Sequence, residues 1–305
     1  MDGSSVAILL MVYGSPASED EVEPYYTAIR HGKRPTDAEI EDLKARYERI
    51  GGCSPLMEIT EMQARQLERR LNRVEGSSYK VYVGTKHWKP SIKDAVSQII
   101  EAKHTHMVAM PLAPHNSSMT TQNYNRLVEE ALNESGRPIE ATYVNSWSTN
   151  GQFINALSSN LSETLDAVGN DAHVLFTAHS LPERILADGD PYPFELMETC
   201  DKVAATSELA DWSFCYQSAG HASEKWLGPD ITEKIAELAK GGSRNIVVCT
   251  VGFVSDNLEI LYDIDIEARE LASRLGVNLI RTESLNLSSK LTEALADVVS
   301  NALRN

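Results

Sequence analysis

Three acids, Glu259, Asp263 and Glu267, are spaced i, i+4, i+8. On a helix that spacing sets three carboxylates along one side. Like charges four residues apart weaken an isolated helix by roughly 0.2–0.5 kcal/mol per pair. No Lys or Arg interleaves with them before Arg269. A cation moving along the row would offset the repulsion, and a metal ion is one such cation. The start of the row also has a plain explanation. Asp256 and Glu259 fit the N-cap and N3 positions of a capping box, and acids in a first turn complement the helix dipole. That accounts for Glu259, partly for Asp263 and not for Glu267.

His179 is a second chemical candidate. It follows an apolar strand and precedes Leu181-Pro182. An imidazole there can act as general base or metal ligand near neutral pH, or can simply be satisfied by backbone. Ser180 lies beside it without a GxSxG elbow, which speaks against a serine hydrolase. A basic island, Arg30-His31-Gly32-Lys33-Arg34-Pro35, stands out in an acidic chain, with Tyr25, Tyr26, Arg46 and Tyr47 nearby. It is either a solvated loop or a dock for a flat anion, since Arg pairs with carboxylates and stacks on rings. The turn Gly51-Gly52-Cys53-Ser54-Pro55 lacks the Lys-Ser/Thr ending of a phosphate loop, so nucleotide binding is weakly supported.

The elements that must hold these groups alternate along the chain. Apolar, β-branched runs fall at 6–12, 80–83, 107–112, 139–144, 173–178, 212–216, 245–251 and 277–280. Amphipathic segments fall at 37–50, 59–72, 91–102, 122–132, 153–168, 193–207, 231–239, 258–275 and 290–303. Such alternation predicts parallel sheets covered on both faces. The expected fold is α/β, with two similar Rossmann-like lobes. Each is a four-stranded parallel sheet flanked by helices, and the active-site cleft lies between them. The lobes are expected at 1–148 and 149–305, joined near 146–151. Ligands of parallel sheets bind outside the strands' carboxyl ends. There the sequence places Tyr13-Gly14-Ser15-Pro16, Lys86-His87-Trp88, His115-Asn116-Ser117, His179 and the acid-bearing helix.

Composition narrows the partners. The chain has 305 residues, 42% hydrophobic and 24% charged, with a net charge of −16. That balance argues against nucleic acid, which needs a basic footprint, and favours cations. The four cysteines, at 53, 200, 215 and 249, form no CxxC-like pair, so no structural zinc or cysteine-ligated cluster is signalled. Cys215 and Cys249 read as buried thiols, and a cytoplasmic setting is expected. The apolar start reads as a strand and not a signal peptide. No run is long enough to span a membrane.

Several motifs together resemble ferrochelatases: YYTAIRHGKRP (25–35), GGCSPL (51–56), TAHSLPE (177–183), DPYP (190–193), WLGPD (226–230) and VGFVSDNLEILYDID (251–265). Their order and spacing agree over nearly the whole chain. The short form with a basic loop is most similar to the soluble coproporphyrin ferrochelatases of Gram-positive bacteria. The resemblance implies a lyase-class chelatase of haem biosynthesis that inserts Fe²⁺ into coproporphyrin III to give coproheme. His179 and Glu259 would be its catalytic metal-site pair. Asp263 and Glu267 would line the metal path, and Tyr13 would be the axial tyrosine. Arg30, Arg46, Tyr47, Ser54 and Tyr124 would contact the porphyrin. Iron is then a substrate and no permanent cofactor is expected. Implied partners are the porphyrin, Fe²⁺ and transient partners earlier and later in haem synthesis, without stable membrane insertion. The chain departs from the family pattern at Asn257, where members commonly have His, at Ala219 in CYQSAG (215–220), and near ESLN (283–286). A protoporphyrin IX ferrochelatase, a cobalt or nickel chelatase and a non-catalytic porphyrin carrier of the same fold are the alternatives.

Overall fold

The structure, a computed structural model, describes residues 5–73, 78–169, 171–220 and 224–304. The first four residues of the apolar start lie outside the described residues. The first sheet holds β1 (Val6–Val12), β2 (Tyr79–Thr85), β3 (His106–Pro111) and β4 (Glu140–Tyr143). The second holds β5 (His173–His179), β6 (Trp212–Gln217), β7 (Asn245–Thr250) and β8 (Asn278–Arg281). The expected two four-stranded parallel sheets are therefore present, and both have the same order: β2-β1-β3-β4 and β6-β5-β7-β8.

The central strands form because they are apolar on both faces, as helix-covered parallel strands must be. Ala7 to Met11 of β1 are fully buried. Parallel pairing needs crossovers, supplied by α1 (Val22–Ile29), α2 (Asp37–Arg49), α3 (Leu56–Leu71), α4 (Ile92–Glu101), α5 (Thr121–Ser135), α7 (Tyr192–Thr206), α8 (Ile231–Lys240) and α9 (Arg269–Arg274), while α6 (Gly151–Val168) joins the two sheets and α10 (Ser289–Ala302) follows the last strand. α4 shows the local logic. Ile92, Ala95, Val96 and Ile99 recur at helical spacing and bury against the sheet, and Ser91 with Asp94 forms a capping box at its start.

Two elements differ from the expectation. α1 was not foreseen, because Pro24 sits inside it; the proline is in the first turn, where its missing N–H has no helical partner in any case. The segment expected as one α-helix over 258–275 is instead a π-helix, Ile260–Ala268, followed by α9. Period-four patterns do not distinguish the two windings. Ile260, Ile264 and Ala268 repeat every four residues on the buried side, just as the acids do on the other.

A single buried cluster ties the lobes together. Ile8 and Leu10 of the first sheet and Phe176 and Val247 of the second meet through Trp147, Phe153 and Leu157. The Trp147 and Phe153 rings lie 5.0 Å apart, and Trp147 Nε1 donates to the Pro111 carbonyl at 2.9 Å. α10 packs on both α3 and α6, so the last helix supports both sheets. Cys200, Cys215 and Cys249 are buried free thiols, whereas Cys53 is exposed. No described helix is long and apolar enough to cross a membrane. Phe153 is fully buried at this junction, so Phe153→Ala is expected to cost about 3–5 kcal/mol. Denaturant unfolding checks this; a loss below about 1 kcal/mol would show that the junction carries little of the stability.

Candidate active site

The order of each sheet reverses at its centre, between β1 and β3 and between β5 and β7. That is where parallel sheets leave a crevice at their carboxyl ends. Tyr13 follows β1, and His179 ends β5, the matching strand of the second sheet. Glu259 comes after β7, on the turn that enters the π-helix. His179 and Glu259 meet there, with Nε2 and Oε1 3.2 Å apart. The other ring nitrogen, Nδ1, contacts the Ser180 carbonyl. Both ring nitrogens thus face acceptors, and only the imidazolium can donate to both.

The electrostatics agree with that geometry. Burial alone would push the His179 imidazole down. The Glu259 charge and hydrogen bond, the Ser180 carbonyl and the Asp263 charge together outweigh it and raise the ring to about 9. Trp226 and Phe253 rings flank it, with centroids 6.5 and 6.4 Å away. Gly252 lies so close behind that a Cβ there would meet Ala178 Cβ at 2.7 Å. Ser180 is fully buried, and its hydroxyl donates to the Leu227 carbonyl at 2.8 Å, so it is not held as a nucleophile.

Glu259 is not spent on capping. Asn257 accepts the Ile260 N–H at 3.0 Å and is the N-cap. The Asp256 carboxylate is occupied elsewhere, by Ser284 at 2.6 Å and Asn286 at 2.9 Å. The capping box expected from Asp256 and Glu259 is therefore absent. Its absence removes the capping explanation for Glu259, though not the helix-dipole one, and gives Asn257 a structural role. One turn on, Asp263 accepts a hydrogen bond from Ser218. Burial raises its carboxyl first; the Ser218 bond opposes this, the flanking Glu259 and Glu267 add to it, and Arg46 opposes it, leaving the group at about 7. Glu267 is exposed. The row thus runs from the His179 pair out to solvent. Among the described residues no three His, Cys, Asp or Glu side chains converge on one metal position.

A wall of tyrosines faces the pair. Burial and then the Glu259 charge push the phenols of Tyr13 and Tyr47 well above the ordinary value. For Tyr124, burial and the neighbouring Tyr13 come before Glu259. Tyr13 is 41% exposed, while Tyr47 and Tyr124 are only 3% and 5% exposed and offer edges at most. Lys86 Nζ lies 5.9 Å from the Tyr13 and Tyr124 ring centres and donates to the Met119 carbonyl at 3.2 Å. His87 packs on Tyr13 at 4.6 Å. Burial, Lys86 and His31 push its ring down to about 4, and the Ala28 backbone only partly opposes them.

The two arginines of the basic island are already paired. Arg30 binds Glu39 at 2.7 Å, and Arg34 binds Glu23 at 2.6 Å and Asp37 at 2.9 Å. Arg46 binds Asp42 at 3.0 Å and lies over the Tyr262 ring at 5.1 Å. Ser54 accepts the Leu56 N–H at 3.3 Å and starts α3. An anionic ligand would have to exchange with these acids. Exposed ion pairs of this kind contribute little, so the exchange is cheap.

Two supports were missed in the sequence. Ser218 was passed over because a serine in a loop carries no pattern. Tyr192 donates to the His179 carbonyl at 2.9 Å. Asp190, two residues before it, holds the Ser118 N–H at 2.8 Å and so docks Tyr192 on the first lobe. The DPYP run marks this corner but does not reveal where its groups reach.

Two parallel α/β sheets, an imidazole–carboxylate pair at a strand end of the second and tyrosines close enough to feel its charge make up the site. Residues 5–303 match a family model described as Ferrochelatase. The chain is 42% identical over 300 residues to a protein of Herpetosiphon aurantiacus named Ferrochelatase, covering 97% of this chain and 98% of that one. It is 40% identical over 310 residues to a protein of Anoxybacillus flavithermus named Coproporphyrin III ferrochelatase, covering 100% and 98%. Among solved structures it is similar to SirB from Bacillus subtilis with Fe³⁺, at a TM-score of 0.63 and 12% identity, over 98% of this chain and 95% of that one; this likeness speaks for the fold alone. The chain belongs to the ferrochelatase family. It is accordingly a metal-chelating enzyme that takes porphyrin and iron as substrates.

The pairing sets a clear titration. His179 is expected to keep its second proton until about pH 9. Glu259→Gln removes the largest raising charge while burial stays, so the ring should then titrate well below about 9. NMR of the labelled ring carbons follows both proteins. A wild-type His179 already neutral at pH 7 would contradict the pairing.

Proposed function

We propose that this enzyme inserts Fe²⁺ into coproporphyrin III, giving coproheme, in a lyase-class reaction with iron as substrate. The observation that carries the reading is the His179–Glu259 pair, 3.2 Å apart and near enough to Tyr13 for the Glu259 charge to act on its phenol. Metallation exchanges two pyrrole N–H protons for one Fe²⁺, so the site must deliver a dication and remove two protons. Neutral imidazole and carboxylate are both suitable ligands for Fe²⁺. His179 must first give up the proton it shares with Glu259, because a ligating nitrogen cannot carry one. Asp263, poised at about 7, is matched to pass protons near neutral pH, and Glu267 connects it with solvent. Tyr13 would face the other side of the macrocycle.

A planar porphyrin points its nitrogen lone pairs into the ring, away from a hydrated ion. Bending it is a cost of order 1–5 kcal/mol that remote contacts can offset. Arg30 and Arg46, with Ser54, Tyr47 and Tyr124, are assigned to those contacts. Four carboxylates suit a rim with several exchangeable guanidinium pairs better than two do. The 40% identity to a protein named Coproporphyrin III ferrochelatase points the same way.

His179→Ala is expected to lower iron insertion by about 10²–10⁴-fold while porphyrin affinity stays within about twofold. Anaerobic absorbance assays with fluorescence titration of the porphyrin measure both; wild-type turnover in the variant sinks the assignment. The double variant Asp263→Ala, Glu267→Ala should raise the apparent KM for metal more than that for porphyrin. An unchanged metal KM would make the row a helix surface only.

A further inference from the structure

A π-helix is a rare winding that is frequent at functional sites. Here one side chain bridges the segment. Arg281, at the end of β8, is only 10% exposed. Its Nε and one terminal nitrogen form a two-pronged contact with Asp265, at 2.9 and 2.8 Å. Its other terminal nitrogen donates to Ser284 at 3.0 Å and to the Thr282 carbonyl at 3.1 Å, and lies 3.4 Å from Asp256. Asp265 is inside the π-helix and Asp256 precedes it, so one guanidinium holds both ends of the segment that carries Glu259 and Asp263.

The same loop is stitched to its surroundings at other points. Asn286 accepts the Asp256 N–H at 2.8 Å through its side chain and donates its own backbone N–H to Val254 at 2.9 Å. Gln63 of α3, in the first lobe, donates to Ser255 and to the Asn286 carbonyl, both at 2.8 Å. Residues 254–257 are therefore fixed to the 282–286 turn and to the opposite lobe. Asp265 is the far anchor.

A π-turn takes in more residues than an α-turn. Rewinding to α would therefore rotate Asp265 relative to a fixed Asp256, and the Arg281 fork could not keep both. It would also rotate Glu259 and Asp263 relative to one another, separating the first from His179 or the second from Ser218. An ammonium at position 281 could supply charge but not the planar, two-sided bridge.

We infer that Arg281 is a positioning residue that sets the π register of residues 260–268 and, through it, the placing of Glu259 and Asp263 against His179 and Ser218. This role rests on the iron-insertion reading for its kinetic consequence, but not for its structural one.

The test uses Arg281→Gln, Arg281→Lys and Asp265→Asn, with wild type beside them. Each variant is expected to lose about 10–100-fold in kcat/KM for Fe²⁺, the scale of groups that orient metal ligands, while porphyrin affinity stays within about twofold. Amide hydrogen exchange should speed up selectively over 260–268 and leave β5 and β7 protected. Arg281→Gln combined with Asp265→Asn should lose less than the sum of the two single losses, because both remove the Arg281–Asp265 fork. Wild-type metal kinetics in Arg281→Lys would show that charge suffices and overturn the bridge. Exchange that speeds up evenly over both sheets, with an unchanged metal KM, would make Arg281 a stability residue only. Asp265→Asn keeps the question decidable if Arg281→Gln does not fold. The exchange pattern needs no turnover, so a wild-type protein that inserts no iron would count against the function and not against this role.

Discussion

The contact between His179 and Glu259 is the constraint around which the rest is arranged. An imidazole and a carboxylate 3.2 Å apart at the floor of a crevice hold one proton between them. That arrangement is a natural place for a dication to displace the proton. Its two halves come from different elements of the second lobe: a strand end fixed by parallel pairing, and a π-helix entry fixed by Asn257, Asp256 and Asp265. Neither half is held by the other alone. His179 is steadied by the Tyr192 hydroxyl on its carbonyl and by the tight approach of Gly252 to Ala178. The site therefore depends on the fold of both lobes, since Tyr192 is docked through Asp190 on the first.

Charge explains why the row extends beyond the pair. Asp263 and Glu267 would repel each other and Glu259 if all three were ionised and close. The structure relieves this by grading exposure, from half-buried Glu259 and Asp263 to open Glu267, and by raising Asp263 toward neutrality. A chain of net charge −16 attracts cations from a distance. Arg30 and Arg46 are held in partly exposed pairs with Glu39 and Asp42. The tyrosines opposite stay protonated and offer flat, uncharged faces and edges.

Much of this was legible in the sequence. Apolar runs bounded by loops located the strands, because a strand buried on both faces leaves few alternatives. The residues after those runs marked the crevice, because parallel sheets expose their carboxyl ends there. The acid row was visible from spacing alone. What escaped was whatever depends on partners distant in sequence or on fine helical winding. The period-four rows of Glu259 and Ile260 fit α and π windings equally. The N-cap fell on Asn257 and not Asp256, because Asp256 finds Ser284 and Asn286 some thirty residues later. The basic island looked free, yet Glu23, Glu39 and Asp37 lie on the helices that fold back beside it. Ser218, Tyr192 and Arg281 act through contacts that only the tertiary structure brings together.

The most direct test of the account is an anaerobic assay of the purified enzyme with Fe²⁺ and either coproporphyrin III or protoporphyrin IX, followed by absorbance. Many turnovers with coproporphyrin III, at a kcat/KM above that for protoporphyrin IX, are expected. Binding that stops at one equivalent of porphyrin without metallation, or a clear preference for protoporphyrin IX, would contradict it.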